Sequence, residues 1–372
     1  MADIDLDAVA ANIARLRRDA AGARFLAVVK ADGYGHGMLP VARTARAVGA
    51  DYLGVALPAE ALHLREAGDR GPLLCWLYTP GEDLAACVAR DVEISAASLP
   101  MLDQIASAAQ RAGQRAAVHL KIDTGLGRNG AQPDLWPGLV AAALRLQDRG
   151  LIEVLGVWSH LACSDEPDHP ANKEQLRAFE DGLAVAADRG LQPRLRHLAA
   201  TGGLLGVPGT SFDMVRCGIG IYGLSPGPGI GSTAALGLAP AMSVSARLAL
   251  VKDVPSGHGV SYGLRYRTAE PARLALIPVG YADGVPRSGS GRIPVQIRGK
   301  RFTVAGTVAM DQVVVDIADL DAAAGDEVVL FGSGREGSPT ADDWALACGT
   351  INYEIVTRLG TRIPRRYFGG ER

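Results

Sequence analysis

The sequence predicts a parallel (β/α)8 barrel of TIM type followed by a separate, mainly β domain. Three observations lead there. Eight short apolar runs alternate with helical patterns over the first two thirds of the chain. No Gly-x-Gly-x-x-Gly follows the first run, which disfavours a doubly wound dinucleotide-binding sheet. After the stretch Ser225-Pro226-Gly227-Pro228-Gly229-Ile230-Gly231, short alternating strands replace the helical patterns.

The apolar runs place strands at residues 25–29, 52–57, 73–78, 92–95, 117–122, 154–160, 195–199 and 212–216. Helices are expected at 7–16, with Asp7 as N-cap, and at 58–67, where Gly68 ends the pattern. Others are expected near 99–112, 137–149 and 173–189. The barrel is assigned to residues 1–238 and the β domain to 239–372. In the second part, strands are read at 243–251 and 273–279. A hairpin pairs 294–297 with 302–308 across Arg298-Gly299-Lys300-Arg301.

Composition narrows the class of protein. A chain of 372 residues can bury two sizeable cores. A net charge of -2 gives no attraction for nucleic acid or an anionic membrane. The five cysteines (Cys75, Cys87, Cys163, Cys217, Cys348) form no CxxC pair, which argues against a disulfide framework and against a zinc site. The acidic start Met-Ala-Asp-Ile-Asp-Leu-Asp lacks the apolar core of a signal peptide, and no apolar run reaches membrane-spanning length. A cytoplasmic enzyme is expected.

Candidate chemistry falls where barrel strands end. Lys30 closes the run Phe25-Leu26-Ala27-Val28-Val29 and precedes Ala31-Asp32-Gly33-Tyr34-Gly35-His36-Gly37. An amine at the mouth of a core is costly to keep charged, so it is a candidate nucleophile or Schiff-base former. A lysine snorkelling into solvent is the plain alternative. Only five of the 38 basic residues are lysines, and Lys121 is the rival amine. The glycines beside Lys30, and the expectation that no arginine stands near it, favour Lys30. Arg128, seven residues beyond Lys121 in a Gly-rich loop, suits a carboxylate or phenolate; a solvated surface arginine is the alternative.

His160, after Gly156-Val157-Trp158-Ser159, reads equally well as a satisfied core histidine. Thr201-Gly202-Gly203 and Arg216-Cys217-Gly218-Ile219-Gly220-Ile221-Tyr222-Gly223 close the last two barrel strands, where such folds bind phosphate. Arg216 is effectively always protonated, so it can only donate hydrogen bonds to whatever faces it. In the second part, Gly259-Val260-Ser261-Tyr262-Gly263 and Val308-Ala309-Met310-Asp311-Gln312 put polar groups among apolar strands. Turn residues are the structural alternative for both.

Together these motifs, and VVKADGYGHG above all, closely resemble those of the alanine racemases, and in one order through nearly the whole chain. The resemblance implies a pyridoxal 5'-phosphate enzyme racemising L-alanine and D-alanine for peptidoglycan, as a homodimer with shared active sites. It implies that Lys30 carries the cofactor as a Schiff base and acts as one acid/base. Tyr262 of the other subunit would be the second. Arg128 would contact the cofactor phenolic oxygen and the substrate carboxylate, and Lys121 matches a lysine carbamylated in many members. His160 would lie against the cofactor ring and, with Arg216, near Tyr262. Tyr34, Thr201, Gly218, Ile219 and Tyr353 would hold the phosphate. Met310 and Asp311 would come from the partner, and Tyr281 would line the entry. No metal is implied. Thr201 stands where serine is usual, and Ala309 where cysteine is frequent. Two other functions share the fold: a racemase or decarboxylase acting on another amino acid (serine, lysine, arginine or ornithine), and a non-catalytic carrier of the cofactor. The aromatic Tyr353 and Tyr281 argue for a narrow pocket, and the second domain argues against a carrier.

Overall fold

The computed structural model describes residues 1–370 and divides into two compact units. One comprises Val9–Gly33 and Met38–Leu238; the other comprises Met1–Ala8, Tyr34–Gly37 and Ala239–Arg372. Strands are numbered along the chain, β1 being Ala2–Asp5.

The first unit holds eight parallel strands: β2 Arg24–Val28, β3 Tyr52–Val55, β4 Leu73–Cys75, β5 Glu93–Ala96, β6 Ala116–Lys121, β7 Ile152–Trp158, β8 Leu195–His197 and β9 Met214–Cys217. Their order is β8-β7-β6-β5-β4-β3-β2-β9, and a single parallel bridge between Ala200 and Arg216 joins the two ends. The expected barrel is therefore present. β3 and β4 are buried on both faces, which is why they read as unbroken apolar runs rather than as alternating ones. Burying each Leu, Val or Ile there contributes about 1.5–3 kcal/mol.

Helices fill the crossovers, and local chemistry sets their ends. Ser98 accepts from the Met101 amide at the start of helix Leu99–Ala112, and Gly113, at φ 67°, closes it in the left-handed conformation. Two readings need correction. The first helix is capped by Asp5, whose Oδ1 accepts the Ala8 amide over 3.0 Å, not by Asp7. Helix Met38–Ala47 was not anticipated, because the glycine run before it masks its start.

The second unit carries a nine-stranded sheet, with β10 Met242–Arg247, β11 Leu250–Val254, β14 Ala272–Ile277, β15 Pro294–Ile297, β16 Lys300–Ala305, β17 Val313–Asp316, β18 Glu327–Phe331 and β19 Arg365–Phe368. The order is β11-β14-β17-β16-β15-β18-β10-β1-β19, so the N-terminal strand belongs to this sheet rather than to the barrel. β12 Gly259–Val260 and β13 Tyr266–Arg267 form a separate pair. Its small core includes Val254, Val260, Leu274 and Ala305.

The β15–β16 hairpin turns through Arg298 and Gly299, both at positive φ, the geometry that matches strand twist. The strand expected at 243–251 is instead two strands broken at Leu248–Ala249. Helices Ala341–Cys348 and Asn352–Thr357 also depart from a purely β reading. Among the described residues no helix is long and apolar enough to cross a membrane.

Candidate active site

Lys30 stands two residues past the end of β2, at the start of an unusual turn. Ala31, Asp32, Gly33 and Tyr34 have φ values of 52°, 51°, 60° and 53°, a left-handed helical turn in which only one residue is glycine. Each non-glycine residue there costs roughly 1–2 kcal/mol. Asp32 stabilises the turn by accepting the Met38 amide through Oδ1 over 2.8 Å, and the Gly33 amide donates to the Val29 carbonyl over 2.9 Å. Burial holds the Lys30 ammonium below its ordinary range and the Arg128 guanidinium adds to the fall, with Glu60 opposing. The expectation that no arginine stands near Lys30 is thus overturned: the loop after β6 brings Arg128 within electrostatic reach. The Lys30 amine also lies 5.8 Å from the centre of the Trp76 ring.

Lys121 ends β6, buried, with its amine 4.2 Å from the centre of the Trp158 ring. Burial pulls its pKa down to about 7, Arg216 and Arg128 add to the fall, and Asp123 opposes it. Asp123 also orders the Arg128 loop. Its carboxylate accepts the Gly125 amide over 3.0 Å, the Gly127 amide over 3.1 Å and the Gln132 side chain over 3.1 Å. This is an Asx-type turn: the short carboxylate satisfies amides that no strand reaches.

Arg216, inside β9, is buried. Nη1 donates to Nδ1 of His197 over 3.0 Å; Nη2 donates to the Ser159 carbonyl over 2.8 Å and the Leu198 carbonyl over 2.9 Å. Nη2 also lies 3.3 Å from Nδ1 of His160. Burial lowers the guanidinium to about 9, so it stays protonated at neutral pH. Among the described residues none of its hydrogen bonds uses the Nε–H, which remains available to an acceptor. His160 is held well below its ordinary pKa by burial, then by Arg216, Arg128, Lys121 and Lys30 in turn. The structure therefore brings five sequence-selected side chains of the barrel into one electrostatic cluster at the carboxyl ends of β2, β6, β7 and β9.

Thr201 accepts the Gly218 amide through Oγ1 over 3.2 Å, linking the turns that follow β8 and β9. Ile219 opens the next short turn, buried.

Several polar residues beneath the cluster escaped sequence reading. His197 stacks on Trp158 with ring centres 5.5 Å apart and planes 5° from parallel. His197 Nε2 lies 2.9 Å from Nδ1 of His119, whose Nε2 lies 2.6 Å from the Glu93 carboxylate. Trp158 donates its indole N–H to Ser95 over 2.9 Å. A signal was available. In a strand, residues two apart share a face, so His119 lies behind Lys121 on β6.

In the second unit, Tyr262 is 71% exposed. Its carbonyl accepts the Thr307 hydroxyl over 2.8 Å, while Ser261 donates to the Thr307 carbonyl over 2.6 Å. The Tyr262 turn is thereby fastened to the segment carrying Met310 and Asp311. Tyr281 joins it, because its amide donates to the Ala309 carbonyl over 3.0 Å. Gly280 permits this approach: a Cβ there would sit 2.3 Å from the Met310 carbonyl oxygen. Met310 is 53% exposed and Tyr281 40%. Asp311 pairs with Arg362 over 2.7 Å. Tyr34 and Tyr353 form their own pair, ring centres 6.2 Å apart. Gly35 beside them would carry a Cβ 2.3 Å from the Val356 carbonyl oxygen, so glycine is required.

Comparison with known proteins finds matches along nearly the whole chain. Residues 4–226 match the family model "Alanine racemase, N-terminal domain", and residues 241–367 match "Alanine racemase, C-terminal domain". An alanine racemase of Frankia casuarinae is 53% identical over 98% of this chain and 95% of its own. One of Thermobifida fusca is 52% identical over 100% and 98%. The crystal structure of alanine racemase from D-cycloserine-producing Streptomyces lavendulae superposes with a TM-score of 0.98 at 52% identity, covering 100% of this chain and 97% of that one.

Proposed function

The chain belongs to the alanine racemase family, and from that premise we propose that it interconverts L-alanine and D-alanine with pyridoxal 5'-phosphate as cofactor and with Lys30 and Tyr262 as the two proton-transferring groups. It is an amino-acid isomerase, and its reaction serves D-alanine supply.

One observation carries the reading. Lys30, Lys121, Arg128 and Arg216 act on one another or on His160 electrostatically, and Lys30 and Lys121 lie below the ordinary ammonium range. A cationic cluster containing such an amine suits a phosphate- and carboxylate-bearing aldehyde. The Arg216 Nε–H suits a ring nitrogen, because a guanidinium donates and never accepts.

The bound cofactor supplies an electron-withdrawing ring that stabilises negative charge at the substrate Cα. The residues do the rest. Lys30 holds the cofactor and moves a proton at Cα on one face. Tyr262 of a second copy moves a proton at the opposite face, the simplest way to invert a centre. Its high exposure supports this role, since a proton-transferring hydroxyl needs a covering surface to exclude water. Arg128 binds the substrate carboxylate and the cofactor phenolic oxygen, and a carbamate on Lys121 orients it. His160 would contact the cofactor ring; Tyr34, Thr201, Gly218, Ile219 and Tyr353 would hold its phosphate; Met310, Asp311 and Tyr281 would border the substrate.

The test is optical. With added pyridoxal 5'-phosphate, either alanine enantiomer should drift to the racemate without loss of total alanine. No drift, or preferential turnover of lysine or ornithine with release of carbon dioxide, would reject the assignment.

A further inference from the structure

We propose that Glu60 is the positioning residue for Lys30: one carboxylate ties the backbone that follows Lys30 to the loop that follows β3, and so holds the left-handed turn that directs the amine. The proposal rests on the reading of Lys30 as the cofactor lysine.

Glu60 is the third residue of helix Pro58–Glu66. Its Oε2 accepts the Ala56 amide over 2.9 Å and the Leu57 amide over 3.0 Å. The Leu57 bond is half of an ordinary capping box, which satisfies amides at a helix start. Capping leaves the other oxygen unassigned. Oε1 reaches outside the helix and accepts the Ala31 amide, 29 residues earlier, over 2.6 Å. A charge-assisted bond of that length is among the stronger ones a backbone amide makes.

The turn needs such a tie. Ala31 and Asp32 are both exposed, so no apolar packing on their side chains holds them at positive φ. Asp32 and the Gly33 amide secure the later part of the turn, and Glu60 secures its first peptide. The same carboxylate is the anion that opposes the fall at Lys30, where the neighbouring charges of Arg128 and Lys121 are positive. Glu60 thus sets both the course of the backbone and part of the field at the amine.

Glu60→Gln and Glu60→Ala in the full chain test this. Glutamine keeps the length and one acceptor oxygen, so it cannot serve both loops, and it decides the matter if the alanine variant does not fold. By hydrogen exchange with mass spectrometry, the Ala31 amide should exchange about tenfold faster or more. In cofactor-free full chain, acetylation of Lys30 followed against pH should shift its midpoint to lower pH, because the opposing anion is gone. In the loaded enzyme kcat should fall roughly 10–100-fold, with KM for alanine little changed. Lower thermal stability with unchanged Ala31 exchange, Lys30 midpoint and kcat would mean that Glu60 only caps its helix, and the proposal would be wrong. Failure of wild-type protein to take cofactor on Lys30 would instead overturn the functional reading; the exchange measurement would still decide the tie.

Discussion

Arg216 donates to Nδ1 of His197 over 3.0 Å, and that single contact sets the protonation of a buried chain four residues long. A guanidinium has no acceptor, so Nδ1 of His197 must accept and its proton sits on Nε2. That proton points to Nδ1 of His119, which leaves the Nε2–H of His119 for the Glu93 carboxylate. Burial keeps His197 far below its ordinary pKa, so it is neutral. The positive charge of Arg216 is therefore connected to the negative charge of Glu93 through two imidazoles.

Nitrogen-15 spectra of the histidine side chains should show the Nε2–H tautomer at both His119 and His197. Glu93→Leu should lose about 3–5 kcal/mol in denaturant unfolding, because it leaves a buried cation and a buried N–H without an anion. Glu93→Gln should lose less, since its carbonyl can still accept. A proton found on Nδ1 of His119 would break the argument.

Lys121 has a pH signature. Its folded pKa of about 7 is depressed below the unfolded value near 10.4. Below pH 7 both states are protonated and the cost of burying the charge is complete. Between pH 7 and about 10.4 the unfolded chain binds more protons, so stability must rise with pH. In carbon-dioxide-free buffer the rise should be about 3–5 kcal/mol, and Lys121→Gln should flatten it.

The same depressed pKa leaves much of the Lys121 amine neutral at neutral pH, as reaction with carbon dioxide requires. With carbon-13 bicarbonate, a carbamate carbon signal should appear in the wild type and vanish in Lys121→Gln. A carbamate also replaces a cation beside Arg128 with an anion. No signal in the wild type would dismiss the carbamate and leave Arg128 oriented by the Asp123 loop alone.

Two lysines compete for the cofactor, and borohydride reduction separates them. The reduced cofactor should be recovered on the peptide containing Lys30, and Lys30→Ala should lose cofactor absorbance and activity together. Recovery on the Lys121 peptide would reverse the assignment.

Tyr262→Phe should keep the cofactor spectrum and lose roughly 10²–10⁴-fold in activity. The loss should be uneven: Cα exchange from D-alanine, assigned to Lys30, should survive better than exchange from L-alanine. Heterodimers of Lys30→Ala with Tyr262→Phe should recover some activity, because one of their two sites is intact. If verified heterodimers stayed inactive, the two residues would not be shared between subunits.

Read alone, the sequence determined the barrel, the β part after it, and the strand-end positions of Lys30, Lys121, Arg128, His160 and Arg216. Those features are local: period-2 alternation, glycine runs and turn residues act over a few neighbours. Only tertiary structure decided the rest. β1 pairs with β10 and β19, strands more than 230 residues away, and nothing local specifies such partners. Arg128 near Lys30, His119 and Glu93 behind Arg216, and Glu60 on the Ala31 amide all join different strands or loops of the closed barrel. The depressed pKa values arise the same way, because desolvation and neighbouring charge exist only once the chain has folded around those groups.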